Sequence, residues 1–310
     1  MKINTILYIV EYQLKLRSIN SVVELPLYGQ LCVPVHEGYK IFDFRRGVVI
    51  KKFAPNIKEQ YFLSEIKRLQ KTSQIYFAPS LKRWDVKEQW YEEEYISGSL
   101  DTSSVPQDSK TLLHKFDQMI VPCLDCLMFY QEPMKIDAVK YADGILKTFE
   151  DSRLSRVDRI RNFFYSISEG LHGGGDLPVY LVFTHGDFCP ENMLNTRQGI
   201  KLLDWGNACY RSALFDFYSY FFYRSASKKM AVNNLIPEIK EALPFLISRL
   251  AIKNPDISKS LVSLEKIYRW LYYIEQACVL VEREKTETRL NMLKYTINHI
   301  EAFNRYEDAL

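Results

Sequence analysis

Residues 181–206, LVFTHGDFCPENMLNTRQGIKLLDWG, hold the side chains with the clearest chemical use. Two carboxylates, Asp187 and Asp204, flank one amide, Asn192, and His185 and Gly186 stand directly ahead of the first acid. Carboxylates accept protons, and carboxylate and amide oxygens hold hard cations. The elements that would aim them are legible nearby. Residues 181–184 are a short apolar run with a β-branched bias, 195–199 (Asn-Thr-Arg-Gln-Gly) are turn chemistry, and Ile200, Leu202 and Leu203 resume a buried strand. The segment reads as strand, loop, short strand, tight turn, strand. Asp187 and Asp204 then end two neighbouring extended segments, with Asn192 between them in sequence. Asp and Asn also form turns in plain hairpins. Against that alternative, Asp204 falls inside an apolar strand rather than in a turn.

His185-Gly186-Asp187-x4-Asn192, followed after a hairpin by Asp204-Trp205-Gly206, resembles the catalytic core of the aminoglycoside phosphotransferase and choline kinase-like family. In protein kinases the corresponding pieces are the catalytic-loop Asp and Asn and the Asp-Phe-Gly metal ligand. The resemblance implies that Asp187 accepts the proton of an acceptor hydroxyl and that Asn192 and Asp204 hold magnesium on the nucleotide phosphates. It implies supporting roles for His185, bracing the loop, and for Asp216, fixing the segment after the metal ligand. By motif order it extends over roughly residues 31–224.

An extended pattern begins at Leu31: a strand over 31–35, a turn at His36-Glu37-Gly38, a second strand over 39–44, and a third over 48–53 after Arg45-Arg46-Gly47. No G-x-G-x-x-G is present, and Gly38 alone lies where a phosphate-covering loop belongs. Phosphate contacts would then come from backbone amides near residues 36–39. In Val48-Val49-Ile50-Lys51-Lys52-Phe53 a lysine is out of place unless its charge finds water or a partner. Alternation puts Lys51 on one face with Val49, and Lys52 on the other with Val48 and Ile50. The resemblance favours Lys51 as the phosphate lysine, and the plainer alternative makes both residues edge-strand charges that discourage aggregation. Residues 56–72 read as a helix, with Phe62, Ile66 and Leu69 recurring at helical spacing. Glu65, 14 residues after Lys51, resembles the kinase partner of that lysine; Glu59 competes but sits in the first turn, where acids are common. Trp90 to Gly98 resembles the last N-lobe strand and hinge, implying that backbone groups around Glu94 and Ile96 bind the adenine edge.

Composition excludes several classes. The 310 residues are 47% hydrophobic and 25% charged, with a net charge of +3, too little to argue for nucleic acid. Aromatics make up 14%, with 21 Tyr and 18 Phe, which suggests well-filled helix interfaces. No apolar run reaches the length of a membrane span, and the apolar patch at 6–10 is cut by Glu11 without a cleavage site. The six cysteines are scattered, and Cys123-Leu-Asp-Cys126 has no second pair to complete a zinc site. Buried thiols and a cytoplasmic location follow. Residues 1–30 fit either a strand or a helix. Residues 102–106 are a polar connector, and residues 108–172 read as helices, for example 112–130, with Pro122 a candidate kink, and 157–171. His172-Gly173-Gly174-Gly175 could form an esterase oxyanion loop, but no G-x-S-x-G elbow exists to use it. After Gly206 the chain reads as helical, from 212 to about 305. In 265–284, Tyr268, Tyr272 and Glu275 lie beside the core stripe and are candidates either for an acceptor pocket or for packing.

The expected fold is α+β: a two-lobed protein kinase-like fold with an antiparallel-sheet N-lobe covering the nucleotide (residues 1–97) and a mainly helical C-lobe (98–310). The C-lobe would carry the catalytic loop, metal ligands and acceptor site. The expected chemistry is transfer of the γ-phosphoryl group of ATP, or another nucleoside triphosphate, with Mg2+, to a hydroxyl of a small molecule such as an antibiotic, an amino alcohol or a sugar. A non-catalytic nucleotide-binding or structural member, like the spore-coat relatives, is the alternative. A kinase acting on protein is disfavoured by the lack of an A-P-E segment and of a long activation loop.

Overall fold

The structure, a computed structural model, describes residues 29–35, 37–100, 116–173, 177–228, 232–284 and 289–310. The readings of residues 1–28, His36, 102–106, 112–115 and Gly174 to Asp176 lie outside the described residues. The chain divides into two compact units, one comprising the residues up to Ser99 with Leu194–Gly206, the other Leu100–Met193 with Asn207–Leu310.

In the first unit the alternating residues after Leu31 form β1 (Leu31–Val35), β2 (Gly38–Asp43) and β3 (Val48–Phe53), all antiparallel. Helix α1 (Glu59–Thr72) follows, then β4 (Leu81–Asp85) and β5 (Trp90–Glu94). The sheet order is β1-β2-β3-β5-β4, which makes β3 an interior strand. Lys51 and Lys52 are therefore not edge charges. One face of the sheet buries Cys32, Ile41 and Ile50 with Tyr39 and Trp90. The other carries Phe53, whose ring meets Phe62 of α1 edge-on at 5.4 Å. Burying a side chain such as Phe62 contributes roughly 2–3 kcal/mol, and the Phe62, Ile66, Leu69 stripe docks α1 by that means.

Short strand β6 (Ser99–Leu100) ends the first pass of the chain, and β9 (Met193–Thr196) and β10 (Gly199–Leu202) bring it back. The turn between β9 and β10 is only Arg197-Gln198, tighter than the five-residue turn expected. The returning segment is fastened by Leu202 N–H donating to Phe77 O at 2.7 Å. Trp205 stacks on Phe77, with centroids 6.0 Å apart, and its Nε1 donates to Leu202 O at 2.9 Å.

The second unit is built on a sheet ordered β11-β8-β7, with β7 at Met134–Asp137, β8 at Pro178–Thr184 and β11 at Cys209–Ser212. Its helices are α2 (Val121–Tyr130), α3 (Ala138–Glu150), α4 (Asp158–His172), α5 (Phe215–Lys228), α6 (Val232–Lys253), α7 (Pro255–Ser263), α8 (Glu265–Glu284) and α9 (Arg289–Ala309). One expectation is corrected here: residues 134–137 form a strand, where helix was expected throughout. Pro122 directly follows a π-helical turn, Phe116–Ile120, so the helical run changes its winding just ahead of the proline. The aromatic excess fills the helix interfaces: Tyr273 stacks on Phe303 at 4.4 Å, and Phe222 meets Phe303 at 5.1 Å and Tyr306 at 5.2 Å.

Tyr268, Tyr272 and Glu275 belong to this core rather than to a pocket. Glu275 is buried and accepts from Ser212 N–H at 2.7 Å, Ser212 Oγ at 2.5 Å and Tyr141 OH at 2.7 Å. Among the described residues no helix is long and apolar enough to cross a membrane, and Cys123 and Cys126 are free thiols on α2.

Candidate active site

Strand β8 delivers the first acid. It ends at Thr184, whose hydroxyl donates to Cys209 O at 2.8 Å. The next two backbone N–H groups, of His185 and Gly186, donate to the two carboxylate oxygens of Asp216 at 2.6 and 3.0 Å. Asp216 lies in the first turn of α5. Burial pushes its carboxyl above the usual range, against the pull of His185, the two amides and Arg211. Gly186 has φ +82°, and a Cβ there would lie 2.3 Å from Asn207 O and 2.6 Å from Arg211 Nη1. Arg211 cannot yield, because Nη1 is bonded to Thr184 Oγ1 and to Asn207 O, each at 2.9 Å, and the guanidinium lies over Phe215 at 4.6 Å. Only glycine fits.

His185 is wholly buried, and its Nδ1 accepts the N–H of Asp187 at 3.2 Å. An imidazole accepting at Nδ1 carries its proton on Nε2, so this ring fixes the backbone of Asp187. Asp187 itself is partly buried. Asn192 closes the following turn with its Nδ2 on Asp187 O at 2.9 Å. That bond is made through the amide nitrogen, and the oxygen of the same group is the atom that could accept a hard cation.

The first unit carries the lysine. Lys51 is buried on the α1 face of β3, with its Nζ 2.9 Å from Glu65 Oε1. Tyr91 OH donates to the same Glu65 oxygen at 2.9 Å. Glu37, from the β1–β2 turn, places Oε2 3.3 Å from Lys51 Nζ and accepts from Tyr61 OH at 3.2 Å. Burial pulls the ammonium pKa down, but Glu65 and Glu37, with Asp204 adding, outweigh it and raise the pKa above its ordinary value. Lys52 takes the opposite face and reaches Glu88, donating to its backbone oxygen. Glu59 begins α1 and is exposed.

Glu92, Glu93 and Glu94 go three ways. Glu92 is buried between Arg46 and Arg83, with bonds of 2.8 and 3.0 Å to the first and 2.6 and 2.7 Å to the second. Glu94 accepts from Ser80 Oγ at 3.0 Å and donates its own N–H to Ser80 O at 2.9 Å. Tyr95 N–H goes to Gly47 O at 2.9 Å. In the suggested hinge those two donors are spent within the sheet, and Ile96 lies beyond the end of β5. Glu93 pairs with Val49 in the register and so shares the Lys51 face. Burial raises its carboxyl to about 7, with Lys40 opposing, Asp204 adding, Lys51 opposing and Glu65 adding.

Asp204 is not inside a strand, as the sequence suggested. Strand β10 ends at Leu202, and Asp204 stands past it with φ +65°, left-handed backbone uncommon outside glycine and frequent at functional sites. Nor are the strands behind the two acids neighbours, since β8 and β10 belong to different sheets. Its side chain is 53% exposed, with Lys40 Nζ 4.0 Å from Oδ2. An exposed carboxylate is the kind of hard oxygen donor that magnesium takes, commonly with one or two protein ligands plus phosphate oxygens. Among the described residues no group of three or more His, Cys, Asp or Glu would hold a metal on protein ligands alone.

A family model described as "Phosphotransferase enzyme family" matches residues 175–236, a stretch that holds Asp187, Asn192, Asp204 and Asp216. None of the curated proteins matches. Among solved structures, choline kinase LicA from Streptococcus pneumoniae is similar, with a TM-score of 0.55 at 18% identity over 96% of this chain and 99% of that one, and it has also been solved with AMP. The Plasmodium vivax ethanolamine kinase gives a TM-score of 0.54 at 14% identity over 86% of this chain and 78% of the other. An aminoglycoside phosphotransferase, APH(2")-IIia, solved with GDP and kanamycin, gives 0.53 at 13% identity over 96% and 99%. The chain therefore has the α+β, protein kinase-like fold of these enzymes, and its motif matches the phosphotransferase family it resembles.

Proposed function

We propose that this chain is a small-molecule kinase that moves the γ-phosphoryl group of a nucleoside triphosphate to a hydroxyl, with magnesium. The observation that carries the reading is the buried Lys51–Glu65 pair at 2.9 Å in the unit that also holds Asp204. A buried ion pair adds little stability over apolar packing of the same volume, so its presence beside a half-exposed carboxylate favours a ligand-binding role.

The acceptor oxygen attacks the γ-phosphorus, its bond forms as the bond to the bridging β–γ oxygen breaks, and the nucleoside diphosphate leaves. Asp187 takes the acceptor's proton. Lys51 binds phosphate oxygens and is held for that by Glu65, while Ile96 binds the base edge and Glu94, locked to Ser80, sets the hinge. Asn192 and Asp204 would hold magnesium, which would supply neutralising charge to the phosphates. His185 and Asp216 position the Asp187 loop. The unit ending at Ser99 covers the nucleotide, and the helical unit supplies the acceptor site.

Thermal melting with and without magnesium–ATP and magnesium–GTP, followed by a coupled assay of nucleoside diphosphate release, tests this reading. The acceptor panel begins with choline, ethanolamine and kanamycin, taken from the names of the solved neighbours, and extends to simple sugars. A rise in melting temperature with one nucleotide, and turnover with at least one acceptor, is expected. No shift and no product across the panel would overturn it.

A double-mutant cycle tests the lysine pair. Lys51→Ala and Glu65→Ala should each weaken magnesium–nucleotide binding, and the double variant should lose much less than the sum, because each residue acts through the other. Lys52→Ala, on the face turned to Glu88, should stay near the parent. Additive losses, or a large loss from Lys52→Ala alone, would mean that the pair has no shared role.

A further inference from the structure

Lys40 has no role in this scheme, yet its position is unusual. In the β2–β3 register it lies directly opposite Lys51, so the two side chains leave the same face of the sheet. Like charges directly opposed across a strand pair destabilise it. Lys51 settles its charge on Glu65 and Glu37. Lys40 has Asp204 Oδ2 at 4.0 Å, a long contact, and its side chain is 25% exposed. An ammonium in that position has donors to spare.

Among its described residues, the turn ahead of Lys40 offers an anion little. Gly38 is the single glycine between 30 and 46. Its φ of +149° serves a close approach to β3, where a Cβ would lie 2.1 Å from Lys52 O. Glu37 gives its carbonyl to Ala54 N–H at 2.8 Å and its carboxylate to Lys51 and Tyr61. A glycine-rich turn binds phosphate through a concave run of backbone N–H groups, whereas this one presents an acid. Among the described residues, the cations on the Lys51 face of this sheet are the groups suited to phosphate.

We propose that Lys40 is a second phosphate-binding lysine, contacting the polyphosphate of the bound nucleotide beside Lys51. The proposal rests on the nucleotide reading above. Lys40 thereby does with one side chain what the absent glycine pattern does with backbone amides, and its tie to Asp204 keeps it on the phosphate side of the sheet.

The test is a titration of adenosine, AMP, ADP and ATP, with magnesium, into the parent chain, Lys40→Met and Lys40→Arg. Methionine keeps the aliphatic stem and removes the charge. Lys40→Met should weaken ATP and ADP binding about 10-fold or more, the scale of one lost charge-assisted hydrogen bond. It should leave adenosine within about twofold, and Lys40→Arg should recover most of the loss. A loss equal for all four ligands would show a defect of the sheet, and no loss for ATP would show a counter-ion of Asp204 only; either overturns the proposal. Melting of the ligand-free variants reports whether the sheet is intact. If the parent binds none of the four, the nucleotide reading fails and takes Lys40 with it. If the parent binds and Lys40→Met binds equally well, Lys40 alone is wrong.

Discussion

Asp187→Asn should lower turnover about 100-fold or more while leaving magnesium–nucleotide affinity within a few fold, the usual scale when a general base is lost. The substitution is close to isosteric, and two bonds that shape this loop run through the backbone of Asp187. Asp187 N–H still reaches His185 Nδ1, and Asn192 Nδ2 still reaches Asp187 O. What disappears is the proton acceptor. Steady-state rates with a working acceptor, alongside calorimetric titration with magnesium–ATP, separate the two effects. Undiminished turnover would remove Asp187 from the chemistry, and a parallel collapse of affinity would make it a nucleotide or metal residue instead.

Asp204→Ala should abolish magnesium-dependent nucleotide binding, because it removes a charged ligand from the metal that would screen the phosphates. The backbone complicates that variant. At φ +65° an alanine bears strain of about 1–2 kcal/mol, whereas asparagine visits this region readily. Asp204→Asn is therefore the cleaner arm, since it keeps the backbone and shape and removes the charge. Both variants should bind nucleotide no better with magnesium than without. If either binds magnesium–ATP as tightly as the parent, the metal belongs to other residues.

The stretch that the phosphotransferase family model matches was legible because its motif lies in side chains at fixed spacing along one short run. Lys51 was separable from Lys52 by the two-residue period of a strand, and the structure turns them to opposite faces, one to Glu65 and one to Glu88. Three strands gave no such sign. Positions 81–85 (Leu-Lys-Arg-Trp-Asp) are largely exposed, and 134–137 and 209–212 are four residues each. These strands exist because partners pair with them, not because their own residues alternate. Asp204 was misplaced for a related reason: Leu202 and Leu203 suggest a continuing strand, and nothing local announces a left-handed turn two residues later. Glu37 and Lys40 were missed altogether. An acid in a turn and a lysine in a polar strand are commonplace, and only the register that sets them around Lys51 gives them meaning.

The first unit closes late in synthesis. Leu194–Gly206 belongs to it, through the Leu202–Phe77 bond and the Trp205–Phe77 stack, yet is made only after all of Leu100–Met193. At 5–20 residues per second that is a wait of roughly 5 to 20 seconds. Through that interval the growing chain holds the residues of all five strands but lacks Trp205, which in the finished protein packs on the wholly buried Phe77. Lys51 and Asp204 are further apart still, by 153 residues, or roughly 8 to 30 seconds at that rate. A nascent chain released before residue 204 would carry the lysine and its glutamate without the second acid, and would leave Phe77 without its Trp205 partner.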